Sequence, residues 1–203
     1  MIEVKICGLK SRDMVQACID AGADYIGLNF VLRSPRFICV EAAQPLIAQA
    51  HAAGLPVVGL WQGAGSLPLE AVLGSGIDIL QAQGSDPGPV PLPVWFALGV
   101  CKREDLPTGP LPYARLLFDA KPPLKAAIEG GHGTPFDWTI LSGYRPKQPW
   151  MLAGGLTREN VAQALALSGA GAVDVASGVE SVRGHKDARL IRDFIREAKR
   201  ASA

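Results

Sequence analysis

Histidine and cysteine are scarce in this chain of 203 residues, which has three of the first and four of the second. Cys7, Cys18, Cys39 and Cys101 are irregularly spaced, no CxxC pair exists, and the histidines lie far apart in sequence. That pattern supports neither a zinc site nor a disulfide framework, and it points to a reduced, cytoplasmic setting. An excess of one charge is missing too: 20 basic residues face 19 acidic ones, for a net charge of +1. With no basic block, a nucleic-acid partner is not indicated. No apolar run approaches the length of a membrane span, so no membrane partner is indicated either. Strand-like alternation starts at residue 2, which leaves no room for a signal peptide. What the chain does have is 48% apolar residues, enough for one large globular core. No linker divides it, and a single domain over residues 1–203 is expected.

The alternation in MIEVKICGLK reads as a strand at residues 2–7. A helix follows, with Ser11 as its cap, Met14, Val15, Cys18 and Ile19 at helical spacing, and Gly22 as a left-handed stop. Three junctions, AGADYIG (21–27), SGIDILQ (75–81) and AGAVDVAS (170–177), share a small residue, a glycine, an aspartate and then apolar residues. Each reads as a helix stop feeding a strand, and the recurrence predicts serial βα units. Strands are predicted near residues 2, 24, 56, 77, 93, 114, 149 and 172, with later helices at about 158–168 and 186–200. Eight strands favour a compact (β/α)8 TIM barrel over a flavodoxin-like open sheet, which needs five or six. The segment GSDPGPVPL (84–92) carries three prolines, so the helix after strand four is expected to be missing or vestigial.

Barrel chemistry gathers at the C-terminal strand ends. If Ile2, Val4 and Ile6 face outer helices, then Glu3, Lys5 and Cys7 point inward, and the Cys7 thiol tops that face. Buried cysteine is usually inert packing. The same parity, however, turns Asp119 of strand six inward at its top, and a thiol with a carboxyl suits paired base and acid work. Asp174 of strand eight also points inward, and Lys5 is expected to pair with it, because an unpaired buried charge is costly. AGGL (153–156) and SGVE (177–180) end strands seven and eight, the usual phosphate site of barrels. The backbone of Gly154, Gly155, Ser177 and Gly178 is therefore the candidate dianion cradle, although one GG pair alone is equally a tight turn. Arg36, after proline in the loop above strand two, is a surface arginine or a carboxylate clamp. Gln81, Gln83 and His132 are candidate pocket residues. Cys18, Cys39 and Cys101 read as packing residues, and His51 and His185 as solvated helix positions.

Taken together, KICGL (5–9), DAGADYIGLNF (20–30), SPR (34–36), LLFDA (116–120), GGHGTPFDW (130–138), LAGGLTRENV (152–161) and VDVASGVESVRGHKD (173–187) resemble the phosphoribosylanthranilate isomerases of tryptophan biosynthesis. The blocks occur in family order over nearly the whole chain. The resemblance implies a (β/α)8 barrel with no metal and no organic cofactor, acting on a small phosphosugar as a monomer or homodimer. It implies an aldose–ketose isomerase, an intramolecular oxidoreductase, that performs an Amadori rearrangement. Cys7 takes the position of the general base and Asp119 that of the general acid. Arg36 takes that of the residue binding the anthranilate carboxylate, and the AGGL and SGVE loops hold the phosphate. An inward Lys5 would favour the thiolate, and burial against Leu117 would keep Asp119 protonated. Three departures fall near the pocket. Gln83 stands where many members have histidine, Trp61-Gln62 replace the usual end of strand three, and His132 replaces a threonine.

Other phosphosugar barrels fit less well. The histidine-pathway isomerase relies on an aspartate pair, whereas this first strand ends in cysteine. The indole-forming synthase needs a catalytic lysine at a strand end, and Lys5 sits too deep. A non-catalytic phosphosugar-binding barrel remains as a reading of a different class.

Overall fold

The alternation at residues 2–7 becomes the first strand of a sheet that closes on itself. In the computed structural model, which describes residues 1–120 and 137–201, the barrel strands are β1 (Glu3–Cys7), β2 (Tyr25–Asn29), β3 (Val57–Trp61), β4 (Ile79–Gln83), β5 (Val94–Val100), β6 (Arg115–Ala120), β7 (Trp150–Leu152) and β8 (Ala172–Val175). Each pairs in parallel with the next, and β8 pairs back onto β1, with Lys5 opposite Asp174. Closure excludes the open-sheet alternative. Outside lie α1 (Arg12–Ala21), α2 (Val40–Ala52), a short α3 (Leu69–Leu73), α4 (Val161–Ser168) and α5 (Ala188–Arg200).

As the proline run requires, no helix separates β4 from β5. The β5–β6 connection is also reduced, to a 3₁₀ turn at Arg103–Asp105, a shortening that the strand count did not announce. Helix five starts later than the expected residue 186. His185 and Lys186 form a strand, β10, paired antiparallel with β9 (Glu180–Val182), and the Asp187 carboxylate then caps the helix through the Arg189 and Leu190 amides. His185 is therefore an exposed strand residue, not a helix position. Ser11 occupies the cap position of α1, but its hydroxyl makes no capping bond. Cys39 and Cys101 are exposed rather than packed, because one precedes α2 and the other follows β5.

Strand parity sorts the side chains into two layers. Val4, Ile6, Leu116 and Phe118 join Val15, Cys18, Phe194 and Ile195 of the helices in one outer core. Each such Leu or Phe contributes about 1.5–3 kcal/mol by leaving water. Val58, Trp95, Ala97, Leu117 and Met151 fill the barrel itself. At its floor the Arg115 guanidinium sits 4.8 Å from the Trp95 ring centroid and pairs with Glu3.

The three repeated junctions do different work. Asp24 and Asp78 stand just before β2 and β4, and each accepts the amide proton of a neighbouring strand, from Val4 at 2.8 Å and from Val57 at 2.7 Å. The third junction has one more residue between glycine and aspartate. That extra residue carries Asp174 into the strand and the barrel interior, where it accepts from Lys5 Nζ at 2.8 Å. Lys5 is wholly buried. Burial alone would lower its ammonium pKa, but Asp174 and Cys7 outweigh that and raise it. Asp174→Asn strands a buried ammonium and is expected to cost about 3–5 kcal/mol, read as a lower urea midpoint. Replacing both partners, with Lys5→Met and Asp174→Leu, recovers most of the loss. An unchanged midpoint for Asp174→Asn would show the pair to be dispensable.

Candidate active site

A cavity of about 930 Å³ opens where the barrel strands end, within the range of small-molecule sites. Cys7 at the top of β1 and Asp119 on β6 both line it, together with Arg36, Gln81, Gln83 and Asp174. The two strands are not neighbours in the ring, since β8 and β7 stand between them on one side. The thiol and the carboxyl therefore reach one space from different walls. Arg33 and Arg183 add exposed positive charge to the lining, which suits an anionic ligand. Gln81 is 4% exposed and lines the cavity, while its Oε1 is sealed without a hydrogen-bond partner.

Space for the thiol comes from Gly27, its register partner on β2. A Cβ there would stand 2.8 Å from Cys7 Sγ. Two buried ammonium groups face this sulfur. Lys5 lies two residues below it, and Lys186 reaches in from β10 with its side chain 2% exposed. For Lys186 burial dominates and lowers the pKa, against opposing pulls from Glu180 and from the charge of Cys7.

Arg36 is 7% exposed. Its stem lies over Gly8, whose positive φ of 82° and missing Cβ make the room, since a Cβ would fall 2.6 Å from Arg36 Cδ. Its Nε and Nη2 donate to Glu180 at 2.6 and 2.8 Å in a two-point fork. Asn29 and Ser34 brace the loop that carries it, with Asn29 Nδ2 and the Arg36 amide both donating to Ser34 Oγ at 3.1 Å. The Glu180 carboxyl accepts further bonds from Lys186 Nζ at 2.9 Å and from the Gly184 amide at 3.0 Å. Burial would raise its pKa, but the Arg36, Lys186 and Gly184 donors bring it down to about 2. With the folded value below the ordinary one, the stabilisation is complete above pH ~4.5 and is lost as pH falls towards 2. The stability gap between wild type and Glu180→Gln should narrow over that acid window, whereas a gap that stays constant down to pH 2 would contradict the assignment.

The expected phosphate residues Gly154, Gly155, Ser177 and Gly178 are not among the described residues that line the cavity. Ala176 lines the cavity and Ser177 begins a 3₁₀ turn immediately after it. Gly154 and Gly155 both adopt positive φ, at 87° and 65°. A Cβ on Gly178 would fall 1.9 Å from the Leu156 carbonyl oxygen, so the two loops meet backbone to backbone. His132 lies outside the described residues. Of the departures at β3, Gln62 lines the cavity, whereas Trp61 packs against the outer core. Sequence reading missed Glu180 and Lys186. The available signal was a carboxylate closing the SGVE motif, six residues before a lysine.

These features define a closed parallel barrel whose strand-end cavity presents a thiol, a carboxyl and arginine side chains, a site shaped for a small anionic ligand. The profile of one family, N-(5'-phosphoribosyl)anthranilate isomerase, matches residues 4–197. The chain belongs to the N-(5'-phosphoribosyl)anthranilate isomerase family. It is 42% identical over 208 residues to the N-(5'-phosphoribosyl)anthranilate isomerase of Acidiphilium cryptum, covering 98% of each chain. It superimposes on the crystal structure of phosphoribosyl anthranilate isomerase from Thermotoga maritima with a TM-score of 0.81, 29% identity and coverage of 98% of this chain and 99% of that one. A phosphoribosyl anthranilate isomerase solved with reduced 1-(o-carboxyphenylamino)-1-deoxyribulose 5-phosphate matches with a TM-score of 0.78 and 27% identity, at 98% and 99% coverage.

Proposed function

We propose that this barrel isomerises N-(5'-phosphoribosyl)anthranilate to 1-(2-carboxyphenylamino)-1-deoxyribulose 5-phosphate, with Asp119 as general acid and Cys7 as general base. The activity is the family's, a step of tryptophan biosynthesis. In the first step Asp119 protonates the furanose ring oxygen, the C1′–O bond breaks, and the nitrogen lone pair forms a C1′=N iminium. Next, the Cys7 thiolate takes the C2′ proton, and the C–H electrons flow into the iminium to give an enolamine. The enolamine loses the C2′ hydroxyl proton and gains one at C1′, which leaves a ketone and a secondary amine. C1′ is reduced and C2′ oxidised within one molecule, as in an aldose–ketose isomerase and intramolecular oxidoreductase.

One observation carries this reading: Cys7 and Asp119 line the same cavity from non-adjacent strands. The Lys5 and Lys186 ammonium groups support the thiolate form of the base. In this scheme Arg36 receives the substrate's ring carboxylate. The backbone at Gly154, Gly155, Ser177 and Gly178 receives its phosphate, where small residues leave amide donors uncovered. The four free thiols suit a reducing, cytoplasmic setting. Loss of anthranilate-ester fluorescence on adding purified protein to phosphoribosylanthranilate tests the activity. Steady turnover is expected, whereas tight phosphosugar binding without turnover would favour a binding barrel.

A further inference from the structure

Of Arg36, Glu180 and Lys186, which form one ion-pair network among the described residues, Arg36 lines the cavity. Glu180 and Lys186 lie behind it, outside the lining, with side chains 3% and 2% exposed. Lys186 Nζ is fixed by the Ala176 carbonyl at 2.7 Å and by Glu180 Oε1 at 2.9 Å. Glu180 in turn holds Nε and Nη2 of Arg36. Of these three side chains the guanidinium is the group that faces the cavity. A planar carboxylate matches a guanidinium held in a fixed plane. The turn that carries Glu180 and Lys186 is itself pressed onto the Arg36 loop. A Cβ on Gly184 would stand 2.7 Å from the Pro35 carbonyl oxygen.

The geometry points to Glu180, backed by Lys186, as the positioning residue that aims Arg36 at the substrate's aryl carboxylate. This rests on Arg36 being the carboxylate ligand. Glu180 does not touch the substrate. It fixes the guanidinium plane in advance, so that no side-chain freedom is lost when the carboxylate docks.

Two product analogues separate the possibilities: the reduced carboxyphenylamino-deoxyribulose phosphate, and its counterpart without the ring carboxylate. Their dissociation constants are measured for wild type, Arg36→Met, Glu180→Asp and the double variant. Glu180→Asp keeps the charge but is one methylene too short for the two-point fork. It is expected to weaken the carboxylated analogue about tenfold and to leave the other analogue unchanged. In the Arg36→Met background it should add nothing. If Glu180→Asp weakens both analogues equally, or neither, while Arg36→Met still discriminates, the positioning role is wrong and the role of Arg36 stands. If Arg36→Met leaves the preference for the carboxylate intact, the reading of Arg36 fails and the inference falls with it.

Discussion

Cys7→Ser is expected to lower kcat by about 10²- to 10⁴-fold, the range for losing a positioned general base. Serine occupies nearly the same volume, so Gly27 still leaves it room and the β1–β2 register is undisturbed. The change is therefore chemical. A serine hydroxyl stays protonated where a thiol can ionise, and the positive charge of Lys5 and Lys186 cannot make up that difference. Stability should remain close to wild type, because the Lys5–Asp174 pair one step below is intact. A kcat within a few-fold of wild type would remove Cys7 from the base role and return it to ordinary packing.

Asp119→Asn should cause a loss of similar size, about 10²-fold or more, through a different step. The amide keeps the shape of the carboxyl but has no proton of suitable acidity to give the ring oxygen. Ring opening then becomes limiting. A substrate analogue supplied already in the open-chain imine form should bypass the defect in Asp119→Asn but not in Cys7→Ser. Equal impairment of both variants on the open-chain form would contradict the division of labour. Asp119 sits opposite Gly99 in the β5–β6 register, so the substitution meets no crowded neighbour on that strand.

Much of the fold could be read from period and punctuation. Alternation in residues 2–7 and strand parity over 114–119 placed Lys5, Cys7, Leu117 and Asp119 on the inner face, and the observed layers agree. The proline run after β4 announced a missing helix for a local reason, since proline removes a donor and clashes in a helix interior. Other features lay beyond local pattern. The β9–β10 strands are three and two residues long, too short for any periodicity, and they displaced the expected start of α5. The third glycine–aspartate junction looked like the first two, yet one inserted residue changed a foot-of-strand cap into an interior ion pair. The Glu180–Arg36 fork joins residues 144 positions apart, and only the closed barrel brings them together. The sequence offered Arg36 as either a surface arginine or a carboxylate clamp. It could not show that two of its donors already hold a carboxylate.

The central claim is that a thiolate at Cys7 removes the C2′ proton of the substrate. Substrate tritiated at C2′ tests this most directly, because thiol protons exchange freely with water. The wild-type protein should release the label to water in step with product formation, and Cys7→Ser should suppress release and product together. Full retention of the label at C1′ of the product, or undiminished release by Cys7→Ser, would contradict it.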